Sequence, residues 1–259
     1  PMTRITLLTD FGTADGYVAA MKGVISTIAP EVVIDDASHD IPPGDVFAAS
    51  ITLSRYWRLY PPGTIHVVVV DPGVGSDRRA VAARIEDRLF VAPDNGILTR
   101  VLAEGQEADV VVPESSAHRR EEVSATFHGR DIFAPAAAHL ARGVPLHKLG
   151  GPVSDLVRLR LPEPTRGPLG VEGEIVHVDR FGNLITNVPG TWVAPESRII
   201  VAGVEITSLG RTYADVEPGA ALAHTGSTGM LEISVRDGSA AESLAAGRGA
   251  RVIVRRGVR

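Results

Sequence analysis

Short apolar runs alternate with apolar residues at helical spacing through the first part of the chain. The runs at residues 5–8, 32–34 and 65–70 are typical of buried strands, and each is followed by polar or turn residues. Between them, apolar side chains recur every three or four positions over 17–27 and 46–60, which predicts two helices. This alternation indicates a mostly parallel sheet with helices on its faces.

The same pattern continues less regularly as far as residue 160. Further strands are predicted at residues 81–85, 89–91 and 109–112, with a helix that starts at 97 and another over 131–141.

The pattern changes after a segment that is rich in proline and glycine, LPEPTRGP at 161–168. Such residues disfavour both helix and strand pairing, so we expect a linker there. Short alternating strands follow at 173–178, 199–201, 230–235 and 251–254, which favours a small β-barrel or sandwich. The sequence therefore predicts an N-terminal α/β domain over 1–165 and a C-terminal β-barrel domain over 166–259.

Composition narrows the class of protein. The 259 residues carry a net charge of −5, which gives no reason to expect nucleic acid or an anionic membrane as a partner. The absence of cysteine excludes disulfides and thiolate metal sites, and no H-x-x-x-H spacing occurs, so no metal is expected. The apolar runs are too short to span a bilayer, and no signal-peptide pattern is visible, so we expect a cytoplasmic protein.

Asp71 with Arg78 is one candidate catalytic site, and His128 is a separate candidate. The run VVVVDPGVGSDRR places Asp71 at the end of a buried strand and Arg78 after a glycine-rich turn. In open α/β sheets, ligands bind at this edge, but a loop salt bridge would give the same spacing. His128, in TFHGRD, precedes a predicted helix whose dipole should lower the pKa of the imidazole, although a structural role would also explain it.

Asp10 is the candidate ribose ligand. It follows the first predicted strand in TDFG, where an ionised carboxylate can accept hydrogen bonds from a ribose diol. The alternative is that it caps the following helix. The usual glycine-rich pyrophosphate motifs are missing from the sequence.

The C-terminal part carries two further polar motifs. Asp179 and Asn183, in DRFGN, could bind an ammonium group and a base edge, or could belong to an ordinary hairpin turn. The glycines of GSTGMLEI expose backbone N–H groups that can bind a carboxylate. Glu232 falls within a predicted strand, so it either faces solvent or has a partner.

Together and in this order, the motifs resemble those of one family. The series TDFGTADGYV, IPPGD, VVDPGVGSDRR, VAPDNGILT, TFHGRDIFAPAAAHLA, DRFGNLITN and GSTGMLEISV is similar to that of the S-adenosyl-L-methionine (SAM) hydroxide adenosyltransferases. These SAM hydrolases form adenosine and L-methionine and are related to fluorinase and chlorinase. The resemblance covers residues 5–254 and implies an α/β domain, a β-barrel and a homotrimer. It also implies that SAM is the substrate, bound between neighbouring subunits, and that no cofactor takes part.

The resemblance implies a role for each candidate residue. Asp71, Arg78 and His128 match the residues that activate water. Asp10 matches the ribose ligand, and Phe127 an aromatic residue that packs on the nucleoside. In the second domain, the matched residues are Asp179 for the methionine ammonium, Ser227 for the methionine carboxylate, Asn183 for adenine, and Glu232 with the backbone around Val235 beside adenine.

Three positions distinguish a hydrolase from a halogenase in this family. The fluorinase-like branch has an aromatic residue at the position of Asp71, tyrosine at that of His128 and serine at that of Gly129. The sequence therefore predicts a SAM hydrolase. The alternatives are a SAM-dependent halogenase and a non-catalytic protein that binds SAM or adenosine.

Overall fold

The chain divides into two compact units. The computed structural model describes residues 2–105 and 107–256. One unit runs to Leu159 and the other starts at Arg160. The domain bounds 1–165 and 166–259, with the roles given to each domain, stay predictions.

The first unit is built on a six-stranded sheet in the order β2-β1-β3-β5-β4-β6. Strands β2, β1, β3 and β5 are parallel neighbours, and β4 runs antiparallel to both β5 and β6. The predicted mostly parallel sheet is thus confirmed. Its strands are β1 (Arg4–Thr9), β2 (Val33–Ser38), β3 (Ile65–Val69), β4 (Ala80–Ile85), β5 (Arg88–Pro93) and β6 (Ala108–Val111).

The helices of this unit are α1 (Tyr17–Ile28), α2 (Val46–Tyr56), α3 (Thr99–Glu104) and α4 (Ala134–Ala141). Helix α2 is shorter than predicted, because the chain tightens into a 3₁₀ turn over Trp57–Leu59. In this turn the Trp57 ring is fully buried against Phe90, with the ring centroids 5.7 Å apart. The predicted helix over 131–141 is also divided, since a π-helical turn over Gly129–Phe133 precedes α4.

Two hydrophobic cores lie on the opposite faces of the sheet. Leu7 and Val67 point into one core, together with Phe133, whereas their neighbours Leu8 and Val68 point into the other. Because successive side chains of a strand face opposite sides, a strand that is covered on both faces is apolar at every position. This explains the unbroken run of valines before Asp71.

A polar pair is buried within the sheet. Thr6 and His66 lie opposite each other on β1 and β3, and the Thr6 Oγ1 to His66 Nδ1 distance is 2.8 Å. Both residues are fully buried. Burial lowers the pKa of His66 from 6.5 to about 3, so the imidazole is neutral at physiological pH.

The second unit is a nearly closed antiparallel barrel with its own core. Its strands are β7 (Thr165–Gly167), β8 (Gly170–Val178), β9 (Leu184–Pro189), β10 (Arg198–Val201), β11 (Val204–Ile206), β12 (Ala221–Thr225), β13 (Met230–Val235) and β14 (Arg251–Arg255). Their order is β11-β10-β14-β8-β9-β13-β12, and β7 pairs with β8.

The barrel approaches closure through the segment after β11. The Gly210 N–H donates to the carbonyl of Ala223 in β12 at 3.0 Å. The Ala223 N–H donates to the Ser208 carbonyl at 2.9 Å. A short helix α5 (Ala240–Ser243) packs beside β13. In the described part of the chain, no helix has the length and apolar character that a membrane crossing requires.

Candidate active site

Two carboxylates meet at the edge of the sheet in the first unit. Asp10 follows β1, and Asp71 comes two residues after the end of β3. Because β1 and β3 are parallel neighbours, both residues arrive at the same edge and line one cavity of about 340 Å³. Gly44 and Thr126 also line this cavity.

Asp71 and Arg78 form a forked ion pair that is almost withdrawn from solvent. Arg78 donates from Nε to Asp71 Oδ1 at 3.0 Å and from Nη2 to Asp71 Oδ2 at 2.5 Å. The side chains are only 5% exposed for Asp71 and 7% for Arg78, so the salt bridge between them is buried. Burial raises the pKa of Asp71, and the charge and hydrogen bonds of Arg78 oppose that effect.

The turn between these residues touches the loop that carries His128. Ser76 Oγ donates to the Gly73 carbonyl at 2.6 Å, and Gly75 has a positive φ of 79°. A Cβ at Gly75 would lie 2.5 Å from the carbonyl oxygen of Ala125, so only glycine permits this approach. The close contact brings the two segments of the site together.

Arg78 also binds His128. Its Nη2 group lies 2.8 Å from His128 Nδ1. A guanidinium has no acceptor, so Nδ1 must accept and the neutral ring carries its proton on Nε2. Burial, and then the charge of Arg78, lower the pKa of His128. The pKa of His128 is lowered in the predicted direction, and burial is the largest cause.

Asp10 is held by the loop that precedes α2. Its Oδ2 atom accepts from the Gly44 N–H at 2.7 Å, and Oδ1 keeps its acceptor capacity. Helix α1 begins after Gly16 without a side-chain cap, so the alternative that Asp10 caps this helix is wrong.

Phe127 belongs to an aromatic cluster next to His128. Its ring meets those of Phe11 and Tyr17 edge to face, with centroid distances of 5.9 and 5.3 Å. Phe11 lines the cavity of the two aspartates, so the cluster extends from the cavity wall. The Arg130 guanidinium carbon lies 4.9 Å from the centre of the Phe127 ring.

In the second unit, Asp179 and Asn183 bind each other across a turn. Asp179 Oδ1 accepts from the backbone N–H groups of Phe181 and Asn183, and Oδ2 accepts from Asn183 Nδ2, all at 2.9 Å. The Tyr213 hydroxyl lies 3.5 Å from Asn183 Nδ2 and was not singled out from the sequence. These hydrogen bonds show that both residues stabilise the turn.

Glu232 and Gly226 are adjacent in the same unit. Glu232 is only 7% exposed, so the alternative that it faces solvent is wrong. A Cβ at Gly226 would lie 1.9 Å from Glu232 Oε1, which shows how closely the carboxylate approaches this backbone. Ser227 is exposed beside it, whereas the Val235 side chain belongs to the barrel core and leaves only its backbone available.

Some residues that support the site were not predicted. Asn95 Nδ2 donates to the carbonyl of Val70, which directly precedes Asp71. Asp131 is a fully buried carboxylate in the turn after His128. Within residues 2–105 and 107–256, no group of three or more His, Asp and Glu side chains could hold a metal ion.

Comparison with known proteins identifies relatives of the whole chain. Residues 5–150 match the family model of the SAM hydroxide adenosyltransferase N-terminal domain, and residues 173–253 match that of the C-terminal domain. The (R)-S-adenosyl-L-methionine hydrolase of Salinispora tropica is 40% identical over 260 residues, 99% of each chain. A fluorinase of Actinoplanes sp. is 32% identical over 72% of each chain. An uncharacterized conserved protein from Thermotoga maritima has a crystal structure that superimposes with a TM-score of 0.92, at 38% identity over 97% of this chain and 100% of that one.

Proposed function

Because the chain belongs to the SAM hydroxide adenosyltransferase family, we propose that it hydrolyses SAM to adenosine and L-methionine. One structural observation carries the proposal. The Asp71–Arg78–His128 group is joined by short hydrogen bonds, and its Asp71 lines the cavity that Asp10 shares. This arrangement places a carboxylate that can act as a base beside a carboxylate that can accept from ribose hydroxyls.

The chemistry of SAM explains why water activation is the main task. Its sulfonium departs from C5′ as the neutral thioether of methionine, so the leaving group needs no general acid. Water is a poor nucleophile: its oxygen forms the new bond to C5′ as the C5′–S bond breaks, and one proton is released. Positioning contributes roughly 7–11 kcal/mol in favourable cases, and a placed base adds about 10²–10⁴-fold.

Asp71 is the proposed acceptor of that proton. Its carboxylate lines the cavity and has lone pairs beyond those that Arg78 engages. Burial raises its pKa, which makes it a better base than an exposed aspartate. Arg78 stabilises the developing hydroxide, and His128 Nε2–H orients the oxygen by donating to it. His128 cannot act as the base in this tautomer, since Nδ1 accepts from Arg78.

The remaining candidates are proposed to bind the substrate. Asp10 accepts from the ribose hydroxyls, and Phe127 packs on the nucleoside. In the second unit, Asp179 binds the methionine ammonium, Ser227 the methionine carboxylate and Asn183 the adenine, with Glu232 and the Val235 backbone beside the base. We propose a homotrimer in the cytoplasm that binds SAM between subunits, and light scattering of the purified protein tests its mass.

Incubation of SAM with the protein in ¹⁸O-labelled water tests the reaction. We expect the label in the 5′-hydroxyl of adenosine by mass spectrometry, because water attacks C5′. Asp71→Ala and His128→Ala should abolish product formation while SAM still binds. Wild-type turnover in either variant would show that the proposed catalytic group is wrong.

Two further outcomes distinguish the alternatives. Added chloride or fluoride should leave the product unchanged, and a 5′-halogenated nucleoside would identify a halogenase. Tight SAM binding without any product would identify a binding protein.

A further inference from the structure

Asp131 lies three residues after His128 and has a fully buried carboxylate. Oδ1 accepts from Arg130 Nε at 2.6 Å and lies 3.2 Å from Arg120 Nε. Oδ2 accepts from Arg130 Nη2 at 2.8 Å and from the Ser124 N–H at 2.9 Å. A buried carboxylate with this many donors is ionised, because hydrogen bonds to the charged form offset its burial.

These contacts join three parts of the chain around His128. The Ser124 bond fixes the start of the loop that contains His128. The Asp131 backbone N–H donates to the Phe127 carbonyl at 3.2 Å, and its own carbonyl accepts from the Arg120 N–H at 2.9 Å. The short segment 124–127, which directly precedes His128, is therefore held at both ends by one residue.

Arg130 connects Asp131 to Phe127, the residue before His128. Its guanidinium forms the fork on Asp131 and lies over the Phe127 ring. The charged groups that influence His128 are Arg78, Asp71 and Asp131. The carboxylate at 131 thus opposes the effect of Arg78 on the imidazole.

We infer that Asp131 is a positioning residue for the proposed hydrolysis and holds His128 so that Nδ1 meets Arg78. The expected effect of Asp131 on kcat rests on the proposed function, whereas its effect on the tautomer of His128 does not. Asp94 provides a matched comparison in the same unit: it is buried, accepts from Arg79 Nε and Nη2 at 3.0 and 2.6 Å, and accepts from the Val157 N–H at 2.9 Å. Asp94 therefore has the same kind of contacts away from the His128 loop.

Asp131→Asn tests the inference, with Asp94→Asn as the control. For Asp131→Asn, we expect kcat to fall at least about tenfold and by clearly more than KM rises, since His128 loses its position while Phe127 keeps its backbone bond to residue 131. Asp94→Asn should keep kcat within about threefold, although both variants lose stability. An equal fall in kcat for the two variants would mean that Asp131 is merely structural.

Nitrogen-15 NMR of the imidazoles provides a readout independent of turnover. The His128 signals are assigned by their loss in His128→Gln. The wild type and Asp94→Asn should show one tautomer with the proton on Nε2, and Asp131→Asn should show a mixture. A single unchanged tautomer in Asp131→Asn would overturn the inference.

The two proposals can fail separately. Wild-type protein that forms no adenosine contradicts the proposed function, while the NMR comparison still decides whether Asp131 sets the tautomer of His128. If Asp131→Asn does not fold, Arg130→Gln removes the fork but keeps the carboxylate. The same changes in kcat and tautomer are then expected, and their absence overturns the inference.

Discussion

Arg78 Nη2 donates to His128 Nδ1 at 2.8 Å, and the same nitrogen donates to Asp71. One guanidinium therefore holds the carboxylate in its ion pair and the imidazole in its tautomer. A cation beside Nδ1 disfavours protonation of the ring, in agreement with the lowered pKa of His128. The three side chains act as one unit, so a change in Arg78 affects both of the others.

Arg78→Lys should lower kcat strongly although the positive charge remains. A lysine ammonium cannot form the fork on Asp71 and also reach His128 with fixed geometry. We expect kcat to fall about 100-fold, equivalent to about 2.7 kcal/mol, with KM little changed. Steady-state measurement of adenosine release checks this.

The adjacent arginine provides the control for that variant. Arg79→Lys removes two guanidinium hydrogen bonds to a buried aspartate, both to Asp94 Oδ2, from a residue outside the proposed site. It should lower kcat less than about threefold. A kcat for Arg78→Lys within the same range would contradict the idea that the fork is needed.

Asp10→Ala should raise KM much more than it lowers kcat. The carboxylate is proposed to accept from the ribose hydroxyls, and hydrogen bonds to a charged group contribute about 1.5–3 kcal/mol, or roughly 10–150-fold in affinity. Titration calorimetry with SAM and steady-state kinetics measure the two effects. Asp15→Ala, at an exposed aspartate of the same loop, should change neither. An unchanged SAM affinity in Asp10→Ala would show that Asp10 does not bind the ribose.

The sequence predicts the strands best where both faces of the sheet are covered. The valines of β3 are apolar at every position because two cores meet there. The prediction is weaker where local composition and tertiary contacts disagree. Strand β12, ALAHT, was not predicted, since alanine favours helices and only pairing with β13 makes this segment extended.

The site residues were also predicted well only where the sequence pattern alone determines their position. Spacing and strand ends single out Asp10 and Asp71, because the carboxyl edge of a parallel sheet gathers such residues. Asp131 follows an arginine at the start of a predicted helix, where an acidic residue is ordinary. Its link to Ser124 depends on the path of the loop, which the pattern of apolar positions does not specify.

The stability of the protein should depend on His66 at acid pH. Its pKa is about 3 in the folded protein and about 6.5 when unfolded, so between these values the unfolded state binds the additional proton. The contribution of His66 to the free energy of unfolding is complete above pH 6.5. It decreases by about 1.4 kcal/mol per pH unit as the pH falls toward 3.

His66→Leu isolates this contribution. Urea unfolding of the wild type and the variant is measured at several pH values from 7 to 4.5. The wild type should lose stability more steeply, by on the order of 2–3 kcal/mol over this range. The Thr6 hydroxyl loses its hydrogen bond to His66 in the variant, which adds a cost that does not depend on pH. Parallel curves would contradict the lowered pKa.

Gly75→Ala should separate the Arg78 turn from the His128 loop. The added Cβ would lie 2.5 Å from the Ala125 carbonyl oxygen, so the backbone must move, and the positive φ adds about 1–2 kcal/mol of strain. Gly63→Ala is matched, since its φ is 81° but its Cβ meets no atom within 4 Å. Both variants should lose stability in urea unfolding. Only Gly75→Ala should lower kcat, by at least about tenfold, because the bond between Arg78 and His128 requires the close approach. A kcat as high as that of Gly63→Ala would show that the loop can move without loss of catalysis.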